Sequence, residues 1–304
     1  MRKILISGGL GFIGGAVALE LKKRDFAVSI IDDLSDNVYD IDDFTNKGIQ
    51  VYLADIYELK TIKTLLFKRD FDIVLHCAAK HFIPFCNKNP FETLKTNIIG
   101  TTNLLEVSRN TNVNKFIFLS SLAIYKPSKN LHSENSTIEP PDIYGISKKN
   151  GEEIIKYYSK NYNFNYGIIR LSNIYGSMDN VQHFIPILCK AAKSKSTINL
   201  GNISTIRDYL YIDDAVDAIY KLVSSEYINN FCYNVCSRVG TSGKSIIKTI
   251  EDITNEKIIY KINPQKIRNN DRPKLVGENE NVKKDISWIP KYTIRKGLIK
   301  ILNI

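Results

Sequence analysis

Cysteine is scarce in this chain. Its five residues, Cys77, Cys86, Cys189, Cys232 and Cys236, are odd in number and spaced for neither a disulfide framework nor a zinc site. A reducing compartment, the cytoplasm, is the expected location, and no bound metal is expected. Cys232 and Cys236 fall in "FCYNVC", which reads as a strand with both thiols on one face as small buried hydrophobes. Internal repeats, low-complexity tracts and a disordered tail are also lacking. The formal charge is +10, yet the basic residues are scattered among Asn, Ile and Asp with no compact tract, zinc-finger spacing or RNA-recognition motif, so no nucleic-acid partner is expected. The uncharged run Ile4 to Leu19 that follows "MRK" has the outline of a signal peptide, but its glycines at 8, 9, 11, 14 and 15 make a poor apolar helix. Neither a signal peptide nor a membrane partner is expected.

What is present is a 304-residue chain, 43% apolar and 24% charged, long enough for one large or two modest domains. Short apolar runs at 3–7, 27–32, 50–55, 71–79, 115–120 and 166–171 read as buried strands. They alternate with helical patterns at 12–22, 91–109 and 145–161. That rhythm predicts a doubly wound parallel sheet of the Rossmann type covered on both faces. After Tyr175-Gly176 the pattern loosens. The expected organisation is a dinucleotide-binding domain over 1–176 and a smaller mixed α/β substrate-binding region over 177–304, with 213–236 returning to the first domain.

"GGLGFIG" stands at the first strand-to-helix turn. Gly8, Gly11 and Gly14 allow a sharp turn, approach to a pyrophosphate and close helix packing. The second strand ends in Asp32, where a carboxylate accepts hydrogen bonds from an adenosine ribose and repels a 2′-phosphate, which favours NAD over NADP. Three Tyr-x-x-x-Lys pairs occur, a spacing that shares one helical face. Pro127 interrupts Tyr125–Lys129, and Tyr292–Lys296 lies in the final amphipathic segment. Tyr144–Lys148 alone opens a helix after the fifth strand, where the carboxyl ends of the strands gather ligands, and that strand ends in Ser120-Ser121.

The ordered set of GxxGxxG at 8–14, Asp55-Ile56, "HCAA" at 76–79, Asn97, "SSLAIY" at 120–125, Tyr144 and Lys148, "RLSNIYG" at 170–176, "RDYLYIDD" at 207–214 and "WIP" at 288–290 resembles the extended short-chain dehydrogenase/reductases, in particular their NAD-dependent nucleotide-sugar epimerase/dehydratase group. The resemblance implies that Ser121, Tyr144 and Lys148 are catalytic. Tyr144 would be the acid/base, lowered from a pKa of about 10 toward 7 by Lys148 and the cofactor's charge at a cost of about 4 kcal/mol. It further implies that Gly8, Gly11, Phe12, Ile13, Gly14, Asp32, Asp55, Ile56, Ala78, Ala79 and Asn97, with Tyr144 and Lys148, hold NAD. For a nucleotide-diphosphate sugar the implied contacts are Ser121, Asn173, His183, Arg207 and Arg268, with Arg272 an alternative to Arg268. Arg207 could instead pair with a nearby acid such as Asp208. A homodimer joined through the helices near 91–109 and 145–161 is also implied.

Leu122 and Ala123 occupy the places where dehydratases and decarboxylases of the group carry acids for a second proton transfer, which disfavours those reactions. A 4-epimerase working through a 4-keto sugar is the simplest remaining activity. His183 keeps a 4-keto reductase or 4-dehydrogenase as the alternative, with an NAD-binding regulator as a third reading.

Overall fold

The computed structural model describes residues 1–66, 69–162, 164–179, 183–267 and 271–304. The chain divides into two compact units. The first comprises Met1–Tyr125, Ile138–Arg170 and Val216–Tyr233, and the second Lys126–Thr137, Leu171–Ala215 and Asn234–Ile304. Residues 126–137 therefore group with the second unit, and the chain changes unit at 170 and 171, a few residues before Tyr175-Gly176.

The first unit is built on strands β1 (Lys3–Ser7), β2 (Ala27–Asp32), β3 (Gln50–Leu53), β4 (Ile73–His76), β5 (Lys115–Ser121) and β6 (Asn165–Leu171), with helices α1 (Phe12–Lys23), α2 (Ile41–Thr45), α3 (Leu59–Leu66), α4 (Ile83–Lys88), α5 (Pro90–Leu94), α6 (Thr101–Ser108) and α7 (Ile143–Asn161) between them. Together with β10 (Phe231–Val235) these strands form one sheet in the order β10-β6-β5-β4-β1-β2-β3. The registers of β1 with β2 and β4, of β2 with β3 and of β4 with β5 are all parallel. This is the doubly wound Rossmann arrangement, in which the chain starts at β1 and winds outward both ways, so ligands gather at the carboxyl edge near the reversal. Leu5, Ile31, Val74, Phe116 and Phe118 from the strands pack with Leu104, Leu105 and Ile155 from α6 and α7 in one apolar cluster.

The helical stretch expected over 91–109 is helical from Pro90 to Ser108, but Lys95–Gly100 forms a π-helix between α5 and α6. Such wide turns often mark functional positions, because one residue is displaced out of the regular ladder. Cys236 is fully buried, as a small hydrophobe would be, whereas Cys232 in β10 is only half-buried.

In the second unit β9 (Ile206–Tyr211) is flanked by β7 (Asn173–Tyr175) and β13 (Lys274–Leu275), both parallel to it, and by antiparallel β11 (Gly240–Ser242). β8 (Ile198–Leu200) and β12 (Tyr260–Ile262) form a separate parallel pair. The helices are α8 (Phe184–Ser194), α9 (Ile212–Ser224), α10 (Gly243–Thr254), α11 (Glu280–Ile286) and α12 (Ile294–Leu302). Trp288 is fully buried and donates its Nε1–H to the Asp214 carbonyl at 3.2 Å, while the Asp214 carboxylate accepts the backbone N–H groups of Lys291 and Tyr292 at 2.9 Å each. The "WIP" and "DD" motifs thus form one clasp. Asp208 likewise accepts Ser237 N–H and Oγ–H and Arg238 N–H, so it supports a turn and is not the partner of Arg207.

α7 is fixed against the sheet by a buried charge pair. Glu152 and Arg170 are 1% and 3% exposed. Arg170 donates Nε–H to Glu152 Oε1 at 2.9 Å and Nη2–H to Oε2 at 2.7 Å, and its Nη1–H goes to Tyr125 Oη at 2.8 Å. Ser120 Oγ–H donates to Glu152 Oε1 at 2.5 Å. Removing one partner of such a pair strands a buried charge, at a cost of about 3–5 kcal/mol. Glu152→Leu is expected to lower the unfolding free energy by about that amount, and adding Arg170→Met is expected to recover part of it. Urea denaturation of the two variants checks this, and additive losses would contradict the coupling.

Candidate active site

The cradle at the carboxyl edge follows from three glycines. Gly8 has φ +66°, and a Cβ there would lie 2.8 Å from the Ala78 Cα and N. A Cβ on Gly14 would lie 2.0 Å from the Gly8 carbonyl oxygen. The chain therefore turns where a side chain cannot follow, and α1 starts close beneath it. Gly11 caps α1 with no side-chain hydrogen bond and no acid occupies the first turn, leaving the positive helix end to a bound anion. Phe12 and Ile13 stand half-buried in that first turn. Asp32, 7% exposed at the end of β2, accepts Leu10 N–H at Oδ2 and Leu34 N–H at Oδ1, both at 2.9 Å. Each oxygen keeps a lone pair for a ribose hydroxyl. Burial pushes this carboxyl above its usual pKa, opposed by those two N–H groups. This cradle fits a dinucleotide.

Asp55 Oδ1 accepts Tyr57 N–H at 3.1 Å, and burial raises its pKa as well. Ile56 is buried against Gly100, and its carbonyl accepts from Asn103. Ala78 and Ala79 are half-buried after β4.

The catalytic candidates are brought together by α7. Asp142 caps the helix by accepting Gly145 N–H at 2.8 Å. Gly145 lies so near the turn after β5 that a Cβ on it would come within 2.5 Å of the Ala123 carbonyl oxygen. That approach brings the start of α7 to Ser121, whose hydroxyl favours ionisation of Tyr144. Ser121 Oγ accepts Ala123 N–H at 3.1 Å, so its own proton is the one available to donate. One turn on, Lys148 is 3% exposed, donates to the Leu119 carbonyl at 2.7 Å and sits 4.6 Å from the Phe118 ring centre. Burial pushes its pKa down to about 8, which still leaves an ammonium at neutral pH. The expectation that the site lowers Tyr144 is not met by the protein alone. Burial raises the Tyr144 hydroxyl above 10, only partly opposed by Ser121, and Lys148 Nζ stands 5.9 Å from the phenol ring centre with a hydrogen bond directed elsewhere. Leu122 and Ala123 are buried and apolar.

Asn97 lies in the π-helix and is 2% exposed. Its Oδ1 accepts Lys80 N–H at 2.8 Å, and its Nδ2 donates to the Lys80 carbonyl and to Ser147 Oγ, each at 2.9 Å. Both amide protons are thus held within the chain, and the side chain ties the loop after β4 to the catalytic helix. A second tie, which sequence reasoning did not single out, runs beneath the cradle. His76 is fully buried, with Nδ1 2.6 Å from Ser7 Oγ and Nε2 2.8 Å from Thr101 Oγ1. Thr101 donates its hydroxyl proton to the Asn97 carbonyl and so accepts from His76 Nε2–H, which leaves Nδ1 to accept from Ser7. Ser7 Oγ in turn accepts Ala78 N–H at 3.3 Å. Neutral histidine, able to donate at one nitrogen and accept at the other, completes this chain. Burial chiefly, with Lys148 adding to it, holds its pKa down to about 3.

In the second unit Asn173 is exposed at the start of β7 and pairs in register with Tyr209 of β9. Arg207 is 8% exposed and donates Nη2–H to Asp271 at 2.6 Å and Nη1–H to the carbonyls of Ile206 and Arg272. Its acid partner is therefore Asp271. His183 precedes α8 with Nδ1 3.0 Å from Asp179 Oδ1. Arg268 lies outside the described residues. Arg272 is buried and contributes its carbonyl to Arg207.

A model of the NAD dependent epimerase/dehydratase family matches residues 4–236. The chain belongs to that family. It is 29% identical over 316 residues, 99% of this chain and 97% of the relative, to a protein of Methanocaldococcus jannaschii provisionally named a UDP-glucose 4-epimerase. It is 31% identical over 281 residues, 91% of this chain and 88% of the relative, to GDP-6-deoxy-D-talose 4-dehydrogenase of Aggregatibacter actinomycetemcomitans. Among solved structures, UDP-glucose 4-epimerase of Thermotoga maritima with UDP-glucose superposes with a TM-score of 0.91 at 27% identity, covering 99% of this chain and 98% of that one. Among the described residues no helix is long and apolar enough to cross a membrane, and no cluster of His, Cys, Asp and Glu could hold a metal ion.

The His76 chain generates a pH prediction. With a folded pKa of about 3 against about 6.5 unfolded, the unfolded chain binds a proton that the fold refuses between those values. Stability from this group is therefore present above about pH 6.5 and is lost as pH falls toward 3, with a slope of at most about 1.4 kcal/mol per pH unit. His76→Gln is expected to be less stable than wild type at pH 7, with the gap narrowing as pH falls to 4.5. Denaturant unfolding across that range reads it, and parallel curves would refute the assignment.

Proposed function

We propose that the protein is an NAD-dependent nucleotide-sugar 4-epimerase acting through a transient 4-keto sugar. The observation that carries this reading is Tyr144 at the start of α7 with Lys148 one turn on, Ser121 ending β5 and apolar Leu122 and Ala123 following it, at the sheet edge that carries the glycine cradle. When bound, NAD would supply the hydride acceptor and donor for this cycle and, in its oxidised form, a positive charge. Tyr144 accepts the proton of the sugar C4 hydroxyl and gives it back to the same oxygen once the keto sugar has turned its other face. Ser121 donates a hydrogen bond to that oxygen. The Lys148 ammonium holds the nicotinamide ribose and favours the phenolate. Burial raises the resting phenol, so its ionisation draws on neighbouring positive charge, that of Lys148 and of the oxidised cofactor.

Gly8, Gly11, Phe12, Ile13 and Gly14 cradle the pyrophosphate and Asp32 binds the adenosine ribose. Asp55 and Ile56 flank the adenine, and Ala78, Ala79 and Asn97 form the rest of the dinucleotide wall. Asn173, His183, Arg207 and Arg268 receive the nucleotide diphosphate, with Arg207 oriented for it by Asp271. A homodimer is supported by the exposed apolar side chains Phe91, Ile99, Ile146 and Tyr157 on α5, the π-helix and α7. The five cysteines, all free, suit a cytoplasmic location.

A 4-dehydrogenase or 4-keto reductase is the second reading, favoured by the 31% identity to the talose 4-dehydrogenase and by the His183–Asp179 pair. The two part on cofactor use. An epimerase interconverts its sugars with no added dinucleotide, whereas a dehydrogenase makes one NADH per turnover. NMR of UDP-, GDP-, dTDP- and CDP-hexoses incubated with the purified protein is expected to show C4 interconversion without added NAD. Tyr144→Phe is expected to slow it by about 10²–10⁴ with dinucleotide still bound. Unchanged turnover in that variant would remove Tyr144 from the mechanism.

A further inference from the structure

Lys80 is placed by its backbone and used by its side chain. Both its N–H and its carbonyl are hydrogen-bonded to Asn97, so the loop after β4 is fixed where the lysine leaves it. Its Nζ then reaches Ser35 Oγ at 2.8 Å and Asp36 Oδ2 at 3.2 Å in the loop after β2. That second loop is anchored too. Val38 N–H and Tyr39 N–H both donate to the Leu10 carbonyl, the Tyr39 ring packs on Gly15, and Asp33 Oδ1 accepts from the N–H and hydroxyl of Ser35.

The sheet order gives this ion pair its meaning. β1 lies between β4 and β2, and all three run parallel. A link from the loop after β4 to the loop after β2 therefore spans the carboxyl end of β1, where the Gly8–Gly14 turn emerges. A pair joining neighbouring turns of one helix would not do this. We propose that Lys80 with Ser35 and Asp36 forms a strap across the dinucleotide cradle, and that the strap sets how slowly the dinucleotide leaves.

This rests on the reading of the glycine turn as the dinucleotide site and adds a function to residues outside that turn. An enzyme that oxidises and re-reduces the same sugar needs its dinucleotide to stay through the whole cycle. A closure that slows release serves that need without adding contacts at the reacting carbon. The pair is partly exposed, with side-chain accessibilities of 20% for Lys80 and 58% for Asp36, so its effect is modest and sensitive to salt.

The test measures the rate of dinucleotide release from the NAD-loaded protein into an excess of NAD glycohydrolase, for wild type, Lys80→Met, Asp36→Ala and the Lys80→Met/Asp36→Ala double variant. Release is expected to quicken roughly two- to fivefold in each single variant and no further in the double variant, and raised salt should quicken the wild type toward the variants. The informative variant is Asp36→Ala. If Lys80 acted only by holding the dinucleotide's phosphates directly, removing Asp36 would free it and slow release, so slow or unchanged release from Asp36→Ala overturns the strap. Additive effects in the double variant overturn it as well. Thermal unfolding of the unloaded proteins separates these results from misfolding: a variant that melts with wild type reports on release alone, and for one that melts early the exposed replacement Asp36→Asn takes its place. A wild type that takes up no dinucleotide overturns the reading of the cradle itself, and the strap with it.

Discussion

The carboxylate of Glu152 holds the active helix in register. It lies in the apolar interior, accepts from Ser120 at the end of β5 and receives two guanidinium N–H bonds from Arg170 in β6. A charge in such surroundings tolerates little displacement, because each lost hydrogen bond leaves ionised groups without water to replace it. α7 is therefore pinned to two neighbouring strands two turns beyond Tyr144. Its N-terminus is fixed by Asp142 and by the contact of Gly145 with the turn after Ser121. With the helix held at its start and its middle, the Tyr144 and Lys148 side chains between those points have little choice of position.

That rigidity has an electrostatic consequence. The proposed catalytic pair is buried well enough that each group is driven toward its neutral form, Tyr144 upward and Lys148 down to about 8. At rest the site holds a phenol beside an ammonium, with Phe118 and the Leu119 carbonyl around the cation. On the proposed reading, the positive charge of the oxidised dinucleotide would favour the phenolate and so couple hydroxyl oxidation to its presence.

Much of this was legible in the sequence. The order of apolar runs gave the parallel sheet, and the glycine spacing, Asp32 and the Tyr144–Lys148 pair mark the residues that the structure gathers at one edge. The features that were not legible depend on contacts across long separations. Glu152 and Arg170 are ordinary charged residues in sequence, and only folding makes them a buried pair. The partner of Arg207 is Asp271 and not the adjacent Asp208, because neighbours along a strand point to opposite faces. Asn97 looks like one polar position in a long helix, yet the π-helix aims it at Lys80 and Ser147. The expected acid/base, Tyr144, could be named from its spacing, but its resting pKa depends on burial, which periodicity does not measure.

What the site lacks beside Ser121 also directs its chemistry. Once a 4-ketone has formed, elimination or decarboxylation would require a second group to move a proton at a neighbouring carbon. The side chains next in line, Leu122 and Ala123, are buried hydrocarbon. They carry no exchangeable proton. On the proposed reading the ketone is left with Tyr144, and reduction at C4 is the step that acid can assist. Which face is reduced is then a matter of how the sugar ring lies when the proton returns. The decision between restoring the starting sugar and producing its epimer thus rests on how freely the ring turns while its diphosphate is held. On the proposed reading, stereochemical control rests with what holds the diphosphate, and the proton chemistry is identical in both directions.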